Sequence, residues 1–233
     1  MTDTLVHLHR ELARVVLPGR ELREVLDQVV GIARRALPGS EATSITLIRD
    51  ERTFTAAFDG QLAMDADELQ YQRGYGPCLD AGRAGSLFVI TDMRTETRWP
   101  DYARHAAELG VRSSLSVPLP FQGATIGALN NYARTPDAFG ATDLQLGEEV
   151  AAFVAIAVGN AEAADRATAD VANMRQAMAS RSVIEQAKGI LMERYKVTAE
   201  QAFTLLTHAS QRSNIKLREI AEELTATGVL RGS

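Results

Sequence analysis

All seven prolines of this 233-residue chain lie at or before Pro136. Proline removes a backbone donor and clashes with the preceding helical turn, so a proline-free stretch can run as uninterrupted helix where a proline-rich one cannot. The front of the chain is therefore expected to fold as short elements joined by turns, and the back as helices. Charge divides at a similar place. Residues 180–233 hold 8 Lys+Arg and 6 Asp+Glu, net +2, against 17 and 24 in the rest, net −7. All three lysines (Lys188, Lys196, Lys216) fall in that last segment. Together these shifts place a domain boundary between an acidic front and a mildly basic back.

Composition excludes several classes. The overall charge of −5 is modest, and 45% hydrophobic with 24% charged residues is ordinary for a soluble globular protein. Cys78 is the only cysteine. A disulfide framework and a cysteine-based zinc site are therefore ruled out, and a reducing cytoplasm is the expected location. The N-terminus lacks the basic-then-apolar pattern of a signal peptide. The longest clean apolar run, AAFVAIAV at 151–158, is too short to span a bilayer.

Patterning along the front predicts α+β with a mostly antiparallel sheet. Residues 21–37 place Leu22, Val25, Leu26, Val29, Ala33, Ala36 and Leu37 on one helical face, closed by Pro38-Gly39. ATSITLIRD (42–50) alternates as a strand, with RTFTAAFDG (52–60) its partner across a tight turn. Residues 61–73 are polar and poorly patterned, and no element is predicted there. A glycine turn and short helix follow at 74–85, then a strand at 86–93 and a helix at 102–110 with Gly110 at C′. SSLSVPLPFQ and TIGALNNYA form a hairpin around Gly123, its first strand at an edge or bulged because of Pro118 and Pro120. From Asp143 the apolar residues Leu146, Val150, Phe153, Ala157 and Ala164 follow helical spacing, continued by Val171, Met174 and Met178. One helix over 143–195 would be roughly 80 Å long and would call for a partner helix.

The stretches GYGPCLDAGRAGSLFVITDM, RWPDYARHAAELGVRSSLSVPL and GATIGALNNYARTPDAF resemble the GAF family of small-molecule sensor domains, over about 74–160. The resemblance implies a ligand pocket between the sheet and its connecting helix and loops, bounded by 74–112. Its candidate residues are Tyr75, Cys78, Trp99 and His105. The ligand is unknown. The Asn-Lys…Phe…Asp-Glu motif of cyclic-nucleotide GAF domains is absent, since no lysine precedes Lys188. Cys78, at a helix N-terminus that could lower its pKa, is the only candidate for bilin attachment or redox sensing. A small apolar packing role under the glycine turn is the other reading, and a redox pair would lack its resolving cysteine. Haem would want a histidine, and His105 is the one near the pocket, where a solvated helix position explains it as well. Trp99 suits the core or a pocket wall. GAF-fold enzymes that reduce methionine sulfoxide use several cysteines, and no catalytic constellation is found, so no enzyme is expected.

The back reads as three helices. AKGILMERY, TAEQAFTLLTHASQRSN and IKLREIAEEL resemble the ANTAR domain, an RNA-binding antitermination module, across nearly the whole of 181–225. Thr198 and Gln201 have capping-box spacing. The resemblance implies a homodimer built on a coiled coil from the sensor helix, binding tandem stem–loops in nascent mRNA so that a terminator hairpin cannot form. Domains are expected at 1–160 (GAF), 161–179 (helical linker or coiled coil) and 180–233 (ANTAR), with no membrane partner. Arg181, Lys188, Arg212, Lys216 and Arg218 are candidate phosphate or loop contacts. Ser210 and Asn214 are candidate readers of bases or 2′-OH groups, and Tyr195 either stacks on a base or packs at the helix end. Solvated surface charge is the bland alternative, and a DNA-binding regulator with a helix-turn-helix outline is the rival function. Gly189 costs its helix about 1 kcal/mol relative to alanine. A close helix crossing is the expected reason, with approach of the RNA backbone the alternative.

Overall fold

The structure, a computed structural model, describes residues 2–15, 19–49 and 52–230. The turn expected between the first two strands, at 50–51, lies outside them. Two compact units result, Met1–Glu162 and Ala163–Ser233.

In the first unit, helices α1 (Thr2–Leu12) and α2 (Leu22–Ala36) precede strands β1 (Ala42–Arg49) and β2 (Arg52–Asp59). Then come α3 (Gln61–Arg73), α4 (Pro77–Ala84), β3 (Phe88–Ile90), α5 (Pro100–Glu108), β4 (Ser113–Phe121) and β5 (Ala124–Ala133). The sheet order is β2-β1-β5-β4-β3, antiparallel at every pairing. Gln122 and Gly123 both have positive φ, +50° and +81°, which matches the twist of a tight hairpin between β4 and β5. The register shifts between Pro118 and Pro120, and both lie past the end of β3, which pairs only with Ser114–Ser116. The two prolines thus occupy a bulge on an open stretch of β4, where a missing donor costs least.

The two faces of the sheet differ. On one, Ile45, Leu47, Leu115, Val117 and Leu129 pack with Val25, Leu26, Val29 and Ala33 of α2 in the main core. That core also takes Leu146, Val150, Val154 and Val158 of helix α6 (Ala141–Tyr195). The other face carries Ser44, Thr46, Ser114, Ser116, Asn130 and Tyr132, all buried. Their shared side follows from the register, with Ser44 opposite Asn130, Asn130 opposite Ser116, and Tyr132 opposite Ser114.

The helix α3 overturns the expectation of no element at 61–73. Its buried residues Leu62, Ala63, Ala66, Asp67 and Gln70 keep to one side of the helix, but two of the five are polar, so the hydropathy pattern does not reveal it. The strand expected at 86–93 shortens to three residues.

Helix α6 runs through 55 residues as one element. An 18-residue window of it has mean hydropathy 1.2, enough by length and composition to cross a membrane, but half of that window is buried within the protein. Residues 163–179 are exposed throughout, including Val171, Met174 and Met178 at 50%, 67% and 67%.

In the second unit, α7 (Ala199–Ser213) and α8 (Leu217–Thr227) close on the end of α6. Ala187 and Leu191 of α6, Ala202, Leu206 and Ala209 of α7, and Ile220, Ala221 and Leu224 of α8 form its core. Thr198 and Gln201 make both bonds of the capping box, and Asn214, in the left-handed conformation, ends α7.

Candidate functional site

The polar sheet face is roofed by α3, α4 and α5, and the groups between them form a closed network. Tyr132 donates its hydroxyl to Asp67 Oδ1 at 2.6 Å and receives Gln70 Nε2 at 3.2 Å. Thr55 donates to Asp67 Oδ2 at 2.9 Å. The Tyr71 hydroxyl sits 2.9 Å from both Thr46 Oγ1 and Thr55 Oγ1. Asn130 Nδ2 reaches Thr46 Oγ1 at 3.0 Å and Cys78 Sγ at 3.1 Å. Gln70 Oε1 accepts from the Cys78 backbone at 2.8 Å, tying the start of α4 to α3.

This interior is unusually polar for a core, and it is incompletely satisfied. Among the described residues, Ser114 Oγ, Ser116 Oγ and Asn130 Oδ1 are buried with no hydrogen-bond partner. Buried polar groups left unmade cost about 1–3 kcal/mol each, so such groups are found where water or a ligand completes them. Burial pushes the Asp67 carboxyl up to about 6, against the opposing pull of hydroxyls that include Tyr132 and Thr55. Burial and the neighbouring Asp67 charge also hold the Tyr132 and Tyr102 phenols protonated.

The four expected pocket residues separate. Cys78 belongs to this polar network, donating Sγ–H to Thr46 Oγ1 at 3.2 Å. Of its two readings, the near-complete burial of Cys78 agrees with the packing role and not with a thiol activated at a helix N-terminus. Burial, reinforced by Asp67, drives the thiol far upward, so it is an inert core thiol. Trp99 is buried, with Nε1 donating to Asp80 Oδ2 at 2.7 Å and its ring meeting Phe88 edge-on at 5.3 Å. Tyr75 packs against the same cluster and accepts from the Asp101 backbone N–H at 3.2 Å. His105 stays outside, donating Nδ1–H to the Asp101 carbonyl one turn back at 2.7 Å. Trp99 and Tyr75 therefore brace the helix α5 that carries Tyr102. Sequence reading missed Asp67, Gln70, Tyr102, Asn130 and Tyr132. A usable signal existed: Ser114 and Ser116, and Asn130 and Tyr132, place polar residues at period two on neighbouring strands.

On the second unit, the expected nucleic-acid contacts also divide. The side chains of Arg181, Arg212, Asn214 and Lys216 make no hydrogen bond or ion pair among the described residues. Lys188 is only 16% exposed, with Nζ 2.9 Å from both carboxylate oxygens of Glu185. Arg218 pairs with Glu222 at 3.2 Å. The Ser210 hydroxyl donates to the Ile215 carbonyl, fixing the α7–α8 turn. Gly189 corrects the sequence reading: a β-carbon there would meet nothing within 4 Å, so no helix crosses close to it. Gly159 in the same helix behaves oppositely, since a β-carbon would run into the Phe121 ring.

The fold and the roofed polar sheet face define a sensor domain of the GAF type. The GAF domain model matches residues 19–159, and the chain belongs to that family. The ANTAR domain model matches 172–224, so the architecture is a GAF domain followed by an ANTAR domain, that of a signal-gated regulator. No curated protein matches the chain. Among solved structures it is similar to the GAF domain of an Acinetobacter phosphoenolpyruvate-protein phosphotransferase, at 19% identity over 70% of this chain and 94% of that one, TM-score 0.53. The corresponding domain from Coxiella burnetii gives 19%, 71%, 96% and 0.52. Free methionine-R-sulfoxide reductase from Neisseria meningitidis, in complex with its substrate, gives 18%, 70%, 95% and 0.52. These likenesses concern the fold alone.

Proposed function

We propose that this chain is a signal-responsive transcription antiterminator. A small polar molecule bound under α3 and α5 is sensed by the GAF domain. A pair of chains, joined along α6, then engages tandem stem–loops in nascent mRNA through the ANTAR units. The reading is carried by the ANTAR match at 172–224 on a three-helix unit whose Arg181, Arg212 and Lys216 have no partner among the described residues. Cations paired within a fold give little to a phosphate backbone, whereas unpaired ones release counterions on binding. Lys188 and Arg218 contribute after exchanging Glu185 and Glu222 for phosphate. With no helix of its own unit crossing at Gly189, the reading we retain is a close approach of the RNA backbone.

Dimerisation is supported by residues 163–179, within the proposed 161–179 linker. An isolated exposed helix of that length is marginal in water, and Val171, Met174 and Met178 present an apolar seam at coiled-coil spacing. Ligand binding shifts the population between chain pairs that hide or present the RNA-binding surfaces, by as much as its affinity differs between them. The Ser114, Ser116 and Asn130 atoms left unpartnered among the described residues support a ligand with several hydrogen-bonding groups.

The test is a competition between looped RNA and duplex DNA for the purified full chain. The RNA is predicted to win, with affinity falling steeply as salt rises. Tighter binding of the duplex makes the protein a DNA-binding regulator instead.

A further inference from the structure

The second unit contains a hollow of about 630 Å³, lined by Tyr195, Leu205, His208, Gln211, Arg212 and Leu230. It has a distinctive division of chemistry. Leu205 and the buried Leu230 supply apolar surface, and the Tyr195 ring, 48% exposed, adds an aromatic plane. His208, Gln211 and Arg212 supply polar edges. Leu205, His208 and Arg212 are spaced by three and four on α7, so a single helix face presents them. The side chains of Tyr195, His208, Gln211 and Arg212 make no hydrogen bond or ion pair among the described residues. By contrast Lys188, Lys196 and Arg218 are all held by carboxylates. No acidic side chain lines the hollow.

We infer that this hollow seats an unstacked base of a looped RNA, a proposal that rests on the RNA-binding reading above. A nucleobase is apolar on its faces and polar on its edges, which is how the hollow is built. Its face stacks on Tyr195, and its edge meets Gln211, which both donates and accepts, and His208. Arg212 meets the adjoining phosphate. The volume lies within the range of small-molecule sites, about 300–1,000 Å³, and has room for the base and its ribose. An apolar side chain from a protein partner would cover Leu205 and Leu230 but strand three polar groups, each at a desolvation cost. A phosphate alone would use Arg212 and leave the apolar surface wet. Bases stacked inside a duplex cannot enter, so the hollow selects loops.

The proposal is tested with the full chain and a pool of RNA stem–loops whose loops are fully randomised. Hairpins retained by the wild type are remade with an abasic nucleotide at each loop position in turn. One position is expected to lose about 5- to 100-fold in affinity on becoming abasic. Tyr195→Ala should lose a similar factor on the intact hairpin and nothing further on that abasic one, while Tyr195→Phe keeps wild-type affinity. The side chain lies outside the unit's core, so folding is preserved and circular dichroism can check it. Wild-type retention of hairpins with Tyr195→Ala equally effective, or with losses that simply add, overturns the base-seating proposal and leaves RNA binding standing. Retention of no hairpin from the pool overturns both. Dissociation of chain pairs by Tyr195→Ala, read by native mass spectrometry, with unchanged RNA affinity per pair, makes the hollow a protein contact and overturns the proposal.

Discussion

The two units dispose of their polar side chains in opposite ways. In the first, Asp67, Gln70, Asn130 and Tyr132 are fully buried and bonded to one another. In the second, Arg181, Arg212, Lys216, His208 and Gln211 stand outside the core, their side chains without partners among the described residues. On the function proposed above, the closed polar interior is the part that would receive something small, and the open polar surface the part that would meet something large. The same contrast runs along one helix. Gly159 makes room for Phe121, and Gly189 makes room for no atom of its own unit.

The largest effect is expected in the polar interior of the first unit. Asn130→Ala removes the amide that links Thr46, Cys78 and Asp67, and should cost the first unit about 2–4 kcal/mol in denaturant unfolding. Arg212→Ala should stay within about 0.5 kcal/mol of wild type. Equal effects would erase the contrast between the units.

The next test is pH. The Asp67 pKa is raised in the fold, to about 6 from 3.8, so the folded state holds a proton that the unfolded chain releases. The stability it contributes is present below about pH 4 and is lost as pH rises through 6, by about 2–3 kcal/mol in all. Asp67→Asn should remove that pH dependence, so the difference in unfolding free energy between wild type and variant changes between pH 4 and 6 and is flat above 7.

The two glycines give smaller effects of opposite sign. Gly159→Ala displaces the Phe121 ring and should cost about 1 kcal/mol. Gly189→Ala meets open space and should stabilise by up to about 1 kcal/mol. It should nevertheless weaken RNA binding, a separation of stability from affinity that an internal packing role could not produce. The smallest expected change is in salt dependence. Arg212→Gln and Lys216→Gln should each lower the slope of log affinity against log salt by about one, and Lys188→Ala by less, because Glu185 already holds its charge.

Much of this was legible in the sequence wherever hydropathy and geometry agree. The stripe of α2, the Gly123 hairpin, the Thr198–Gln201 capping box and the proline-free α6 all follow from residue type and spacing. What failed to show was the buried polar network, and for one physical reason. Asp67 and Gln70 face inward, so the helix that carries them looks patternless, and burial of a charged residue runs against every hydropathy rule. Cys78 carried two readings in the sequence, and burial decides for the packing one. The helix N-terminus that could have lowered its pKa is outweighed by its burial beside Asp67. Gly189 misled because sequence indicates that a glycine is unusual in a helix but not which neighbour requires it.

The central claim is that a pair of chains reads looped RNA. Native mass spectrometry of the full 25.3-kDa chain with an RNA carrying two stem–loops tests it most directly. The account predicts two chains on one RNA, an assembly that survives excess duplex DNA and falls to single chains when Met174 and Met178 are both replaced by glutamate. A single chain at micromolar concentration, or a pair that surrenders the RNA to duplex DNA, would contradict it.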